Sequence, residues 1–449
     1  VDHRTLVPHR VHGYGAAVRG RNLLERIRSS LWFLPALFVT AAIAQGIVLP
    51  ELEEQRGDRG VSTFFFEGGP EGARVMLSMI AGSTLTLTVL VFSITIVALQ
   101  LASSQFSPRV LRTFLRDWYS QASLGVFAAT FAYSLTVLRA VRSEEPGVEA
   151  FVPRLSVSLA FGWVMVSLAV FVLYVSHTAR SLRVVSVIGK VGDETRHMIE
   201  REVPVDPAPQ DDDDVVATVG VARVVGWSGK GGVLRSIDVD RLVRVADRHD
   251  LLVEVLPMVG DFVPHLAPLF AVSGGRFGEA PGFDDELVAT AELGLERTMV
   301  QDLRFGFRQL VDIAERALSP AINDPTTAVQ AIDQMHDLLR TLAVRPWPSG
   351  RHHGPSGALR VVRREPTWDE LVHLAVDEIR VVGASAIQVD VRLRSMLEDL
   401  SAVAVAERCA VTAAELALLE AGVRRDVADA ADRDRALADE PDGGVPGGP

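Results

Sequence analysis

Six hydroxyl side chains, Ser83, Thr84, Thr86, Thr88, Ser93 and Thr95, interrupt a stretch otherwise built of Leu, Val, Ile and Phe. Helical spacing puts Ser83, Thr86 and Ser93 on one face and Thr84, Thr88 and Thr95 on an adjoining one. Two chemistries are open to such a stripe. Each hydroxyl can donate to a backbone carbonyl and let a neighbouring helix come close, the common role of Ser and Thr in membrane bundles. Alternatively, the stripe can line a path for a polar solute. Gln100 and Gln105 follow, then Arg109, Arg112 and Arg116, basic residues that would stand at the inner mouth of such a path. No Asp, Glu, Lys or Arg falls in the middle of any apolar stretch, which disfavours a charge-coupled transporter or proton pump.

Metal and catalytic chemistry find less support. Asp369, His373 and Asp377 are spaced one helical turn apart, and Asp333 and Asp337 flank His336. Solvated helix faces often produce this spacing, so the expectation is no metal and no cofactor. Gly229-Lys230-Gly231-Gly232 lacks the phosphate-loop spacing and reads as a glycine hairpin. Nucleophile-elbow, Walker, dinucleotide and H-E-x-x-H signatures are absent, so an enzyme is not expected. The one cysteine, Cys409, allows neither an intramolecular disulfide nor a cysteine-rich zinc site. A net charge of −12 argues against a nucleic-acid partner, which requires a basic stripe.

The elements that would position these residues follow from where the apolar residues lie. The chain is 48 % hydrophobic yet 23 % charged, and the apolar residues concentrate before residue 180. Four stretches approach the roughly 20 helical residues that a hydrocarbon core demands: Leu31–Leu49, Ile80–Ala102, Ala122–Leu138 and Leu155–Ser176. The third is the shortest, but Trp118 and Tyr119 flank one end and Arg139 the other, as interfacial anchors do. Basic residues cluster before the first span, between the second and third, and after the fourth. Glu51, Glu53, Glu54, Glu144 and Glu145 occupy the other two loops. The bias predicts a multi-pass protein of the cytoplasmic membrane with both termini cytoplasmic. Ala42-Ile43-Ala44 after an Arg-rich flank also fits a cleavable signal, but the apolar run continues to Pro50, as a spanning helix would.

The expected organisation is therefore a basic cytoplasmic leader over 1–30, a four-helix transmembrane domain over 31–180, and an exit helix with an acidic linker over 181–214. A small β-rich module follows over 215–275, a helical cytoplasmic domain over 284–432, and a disordered tail over 433–449. Short β-branched runs such as LLVEVLP and PLFAV, with one short helix near Val239–Arg248, define the module. Its Gly260-Asp261-Phe262-Val263 turn resembles the strand ending of biotinyl and lipoyl barrel-sandwich domains, without a lysine at a hairpin tip. Beyond it, helices are predicted over Met299–Leu318, Thr326–Ala343, Thr367–Val382, Ser385–Leu400 and Thr412–Ala431. The fold class is thus an α-helical membrane protein followed by a cytoplasmic α+β region.

Between two of those helices lies the tract RALSPAINDPTTAVQAIDQ, which contains Ser319, Asn323, Asp324 and Thr327. Asp324 can cap the next helix while Pro325 takes its first position. With Arg297-Thr298, Gln301-Asp302-Leu303-Arg304 upstream and ALQLASSQFSPRVLRTF after the second span, this tract resembles the bacterial predicted membrane proteins grouped as DUF2254, over most of residues 30–345. The resemblance implies the membrane topology and the order of elements, and it marks Arg297, Gln301, Asp302, Ser319, Asn323, Asp324 and Thr327 as family-motif positions. It implies no reaction. Two functions remain open from sequence. One is an oligomeric channel for ions or small solutes, gated by the cytoplasmic domain. The other is a membrane-anchored sensor or scaffold. The expected partners are the lipid bilayer, further copies of the chain and a small-molecule ligand of the cytoplasmic domain.

Overall fold

The computed structural model describes residues 32–56, 66–105, 118–144, 150–181, 183–205, 223–275, 282–384 and 386–437. The basic leader, the loop with Arg109, Arg112 and Arg116, most of the acidic linker and the tail beyond Leu437 lie outside them. The chain divides into two compact units, one ending at Arg183 and one beginning at Val184.

The N-terminal unit consists of α1 (Phe33–Arg56), α2 (Pro70–Gln105), α3 (Trp118–Ala140) and α4 (Arg154–Ser181). All four are long and apolar enough to cross a membrane. The shortest predicted span, α3, is the centre of the bundle and packs against the other three. Over half of its apolar window is buried, against 11 % for α2. Both facts have one cause. Its Gly, Ala, Ser and Thr residues lower its hydropathy and also let neighbours approach. A Cβ added at Gly125 would stand 2.6 Å from Phe38 Cδ2 and 3.3 Å from Pro35 Cα, so the α1–α3 contact depends on that missing atom. Gly162 of α4, by contrast, faces open space.

Polar side chains join these helices at a few points. Thr130 and Ser167 share a hydrogen bond of 2.9 Å between α3 and α4, and Thr95 meets the Tyr174 hydroxyl at 2.7 Å between α2 and α4. At one end of the bundle Glu53 accepts from the Leu155 and Ser156 amides, both at 2.9 Å, and so caps the start of α4. Beside it Glu54 pairs with Arg142 at 2.5 Å. Continuous from Phe33, α1 passes through Ala42-Ile43-Ala44, buries Ala42 in the bundle core and delivers that capping carboxylate.

The C-terminal unit opens with α5 (Val184–Glu202), an amphipathic helix. Its apolar face, including Val187, Val191 and Met198, is buried. It packs on two helices much later in the chain, α8 (Leu303–Leu318) and α9 (Pro325–Ala343). A β region lies between, with β1 (Arg223–Gly226), β2 (Gly232–Ile237), α6 (Val239–Arg248), β3 (Leu251–Val255), β4 (Phe262–Val263), β5 (Pro268–Gly274), α7 (Phe283–Val288) and β6 (Ala291–Gly294). After α9 come β7 (Arg351–His353), β8 (Leu359–Arg363), α10 (Trp368–Val382), α11 (Ile387–Val403), α12 (Cys409–Asp426) and α13 (Ala430–Leu437).

The strands form two sheets, ordered β1-β5-β3-β8-β7 and β4-β2-β6. Leu234, Leu242, Val253, Phe270, Leu287 and Val361 fill one shared core. Here the module differs from the local 215–275 unit expected from sequence. Strand β8 pairs parallel to β3, Val253 opposite Val361, so the sheet is completed from within the helical region. A parallel partner needs a long crossover, and periodicity alone cannot name it.

The helix starts show why the remaining boundaries moved. Sequence periodicity began α8 at Met299, but Asp302 accepts from the Phe305 amide and is the cap, so the helix starts at Leu303. Thr367 and Glu370 form a reciprocal capping box before α10. The tail expected from residue 433 is still helical to Leu437, where Ala436 is buried with Val423 and Val427.

Candidate functional site

Three groups of side chains carry the sequence expectations. The hydroxyl stripe lies on α2, and the structure divides it. Thr84 is buried, Thr88 and Thr95 are half-buried, and Ser83, Thr86 and Ser93 are exposed. All four threonines donate to carbonyls of their own helix. Thr84 reaches Ile80 at 2.8 Å, Thr86 reaches Gly82 at 3.0 Å, Thr88 reaches Thr84 at 2.8 Å and Thr95 reaches Val91 at 2.8 Å. Among the described residues, the Ser83 and Ser93 hydroxyls find no hydrogen-bond partner.

The family-motif residues form two sites at opposite ends of α8, which its 16 residues separate by about 24 Å. At the start, Arg297 grips Asp302 through Nε at 2.7 Å and Nη2 at 2.9 Å. Asp302 is 2 % exposed and also caps the helix through Phe305 N–H at 3.1 Å. Gln301 pairs with the backbone of Ile237 at the end of β2, accepting from its N–H at 2.9 Å and donating to its carbonyl at 3.1 Å. Arg304 reaches Asp261 at 2.9 Å and the Val259 carbonyl at 3.2 Å. Gly260 lies between them at φ +96°, and a Cβ there would sit 2.2 Å from Asp302 Oδ2. Only glycine tolerates both that backbone and that approach. Motif, loop and strand are therefore one latch joining the sheet to α8. A cavity of about 20 Å³ remains between Met258, Gln301, Arg304 and Arg363, room for one water.

At the other end of α8 the turn closes on itself. Ser319 ends the helix in an extended conformation, its carbonyl accepts from Ile322 and Asn323, and Asp324 N–H reaches the Ala317 carbonyl at 2.8 Å. Asn323 takes the left-handed conformation at φ +50°. Asp324 then accepts from Thr327 N–H at 3.1 Å and from its hydroxyl at 2.6 Å, with Pro325 first in α9. Two prolines and an Asn-Asp pair are what a short antiparallel helix hairpin of this shape needs: a stop, a left-handed residue, a cap and a start.

The third group comprises the histidines with metal-ligand spacing. Both nitrogens of His336 are engaged, Nε2 with Asp399 at 2.8 Å and Nδ1 with Arg392 at 2.7 Å. Burial pushes its imidazolium below the ordinary range, against the pull of Asp399. Of the flanking acids, Asp333 holds Arg392 and Asp337 holds Arg196. Asp333, His336 and Asp337 are thereby tied to arginines. His373 and Asp377 differ. The structure brings Glu415 of α12 onto them, a residue 42 positions from His373 that sequence spacing could not supply. Burial pushes the Glu415 carboxyl up, with Asp377 adding to the effect. Arg308 gathers Asp312, Glu315 and Glu378 between α8 and α10, and burial with Glu378 raises Glu315.

Residues 28–399 match the model of a family described as predicted membrane proteins, DUF2254. An uncharacterized protein of Mycobacterium tuberculosis and one of Mycobacterium bovis are each 32 % identical to this chain over 448 residues. In each case the alignment covers 95 % of this chain and 83 % of the relative. No solved structure matches. Family motif, four apolar helices and the mixed region behind them agree, and the chain belongs to the DUF2254 family of predicted membrane proteins.

Proposed function

We propose that this protein resides in the cell membrane with both termini cytoplasmic, and that copies of it assemble around a hydroxyl-lined path for ions or small solutes. The exposed side of α2 carries this reading. Ser83, Thr86, Leu90, Ser93, Val97 and Gln100 recur there at helical spacing and all are exposed. The Ser83 and Ser93 hydroxyls are without partners, which is costly against hydrocarbon. A second copy or a column of water supplies the partner. Arg109, Arg112 and Arg116 follow in sequence and favour an anionic solute. The C-terminal unit would gate the path. The test is flux into liposomes holding the purified protein, beside its mass in detergent. An oligomer whose conductance is lost in Ser93→Leu supports the path; a monomer, or flux unchanged in that variant, overturns it.

One observation favours a second reading, a membrane-anchored sensor. The four threonines satisfy their hydroxyls on their own helix, and a serine can rotate to do the same. In that case the helices only anchor, and the C-terminal unit binds a small molecule or a protein partner. Silence from folded wild-type protein in liposomes selects this reading.

A further inference from the structure

Four side chains on α10 and α12 stand in an arrangement that ordinary ion pairing does not explain. His373 Nδ1 lies 2.9 Å from Glu415 Oε1 and 3.9 Å from Asp377 Oδ2, and the three atoms lie within 4.8 Å of one another. The remaining carboxylate oxygens face away from this point toward one arginine. Arg380 Nη2 is 3.4 Å from Asp377 Oδ1, and its Nε is 3.6 Å from Glu415 Oε2. Glu415 is 1 % exposed, and its Oε2, like Arg380 Nε, is buried without a hydrogen bond.

We propose that His373, Asp377 and Glu415 bind a first-row divalent transition-metal ion, with Arg380 holding the outer oxygens of both carboxylates. Zinc bonds to nitrogen and oxygen are about 2.0–2.2 Å, so two ligands of one tetrahedral ion lie about 3.4 Å apart. The observed 2.9 and 3.9 Å bracket that separation. Small side-chain rotations suffice to open the first and close the second. The donor set of one imidazole and two carboxylates selects zinc, manganese or iron over calcium and magnesium, which prefer all-oxygen shells. Two carboxylates against one arginine leave a net charge of −1, which suits a dication. Asp377 Oδ1 accepts from Arg380 Nη2, and the orientation of an unused carboxylate oxygen by such a donor is the outer-shell support that metal ligands require. His373 is about half exposed and Glu415 is not, so the ion would sit at the mouth of the α10–α12 groove with its open positions toward solvent. The proposal stands independently of any path through the membrane.

The experiment uses full-length, tag-free protein in detergent, stripped with chelator and dialysed against Zn²⁺ or Co²⁺. Metal content and the visible spectrum of the Co²⁺ form are read. The expected result is one ion per chain, with affinity at least about tenfold weaker in His373→Ala and in Asp377→Asn. The Co²⁺ bands should be lost in both. Asp377 is half exposed, so its isosteric variant keeps the fold, which circular dichroism checks. His197→Ala, at an exposed histidine elsewhere, should bind as wild type does. Substoichiometric uptake by wild type, or equal uptake by His373→Ala, would reduce the cluster to a histidine–carboxylate hydrogen bond and overturn the proposal.

Discussion

Thr130 and Asp302 are both buried polar side chains that tie two elements together, and they do so by different means. Thr130 donates 2.8 Å to the Val126 carbonyl of its own helix and shares its oxygen with Ser167. Asp302 is held by a guanidinium from outside its helix and caps that helix at the same time. The contrast runs through both units. In the apolar helices a polar group is satisfied mainly within one turn of where it is attached. The C-terminal unit instead uses charges, and many of its pairs span long sequence separations, such as Arg196 with Asp337 and Arg360 with Asp247. Without water to stabilise a broken pair, a bundle built for hydrocarbon gains from partners that cannot be lost. A unit rich in charge can rely on distant ions, because water tolerates them in the unfolded chain until folding brings them together.

The largest expected effect breaks the charged kind of tie. Asp302→Ala removes a cap and leaves Arg297 without its bidentate partner, so the C-terminal unit should lose about 3–5 kcal/mol. Denaturant unfolding followed by tryptophan fluorescence reads this, and an unchanged midpoint would show that the latch contributes nothing.

Asp390 sharpens the comparison from the other side, as a buried carboxyl with no cation beside it among the described residues. Burial, with Asp426 adding to it, pushes its carboxyl up to about 7. The folded state then holds a proton that the unfolded chain has released, so stability falls as pH rises from about 4 to 7. Asp390→Asn should leave the melting temperature unchanged near pH 4 and raise it at pH 8, by up to about 4 kcal/mol of stability. Parallel melting curves for the two proteins across that range would refute the assignment.

In the membrane unit, size should matter where charge cannot. Gly125→Leu drives a side chain into Phe38 and the Pro35 backbone and should cost about 1–3 kcal/mol. Gly162→Leu, facing open space, should stay within about 0.5 kcal/mol of wild type. Resistance to unfolding in denaturing detergent ranks the two, and equal losses would contradict the packing described. Below the Gly125 effect, Thr130→Val should cost only about 0.6 kcal/mol, because the interhelical hydroxyl pair is weak. A loss as large as that of Asp302→Ala would erase the distinction between the units.

What the sequence revealed follows the same division. Hydropathy found all four spans because the bilayer imposes length and apolarity residue by residue. It ranked α3 last, although the small residues responsible make α3 the hub. The Asp324 cap was readable because a cap acts three residues away, whereas Thr367 was placed inside its helix rather than at its cap. Asp302 was marked only by family resemblance, and its role as a cap was hidden because Met299 and Val300 continue the apolar period. Glu415 and β8 were illegible for another reason. Each finds its partner across a fold that no local pattern encodes, and a carboxylate in a charged helix looks like any solvated one.

The parallel pairing of β3 with β8 also sets a timetable for biosynthesis. Val253 leaves the ribosome roughly a hundred residues before Val361, and at about 5–20 residues per second the delay is about 5–20 s. During that interval the nascent chain carries an unfinished sheet, which invites chaperones or a neighbouring nascent chain. A stop codon anywhere before Leu359 would make that exposure permanent, so truncated products should be cleared by proteolysis rather than persist as stable fragments.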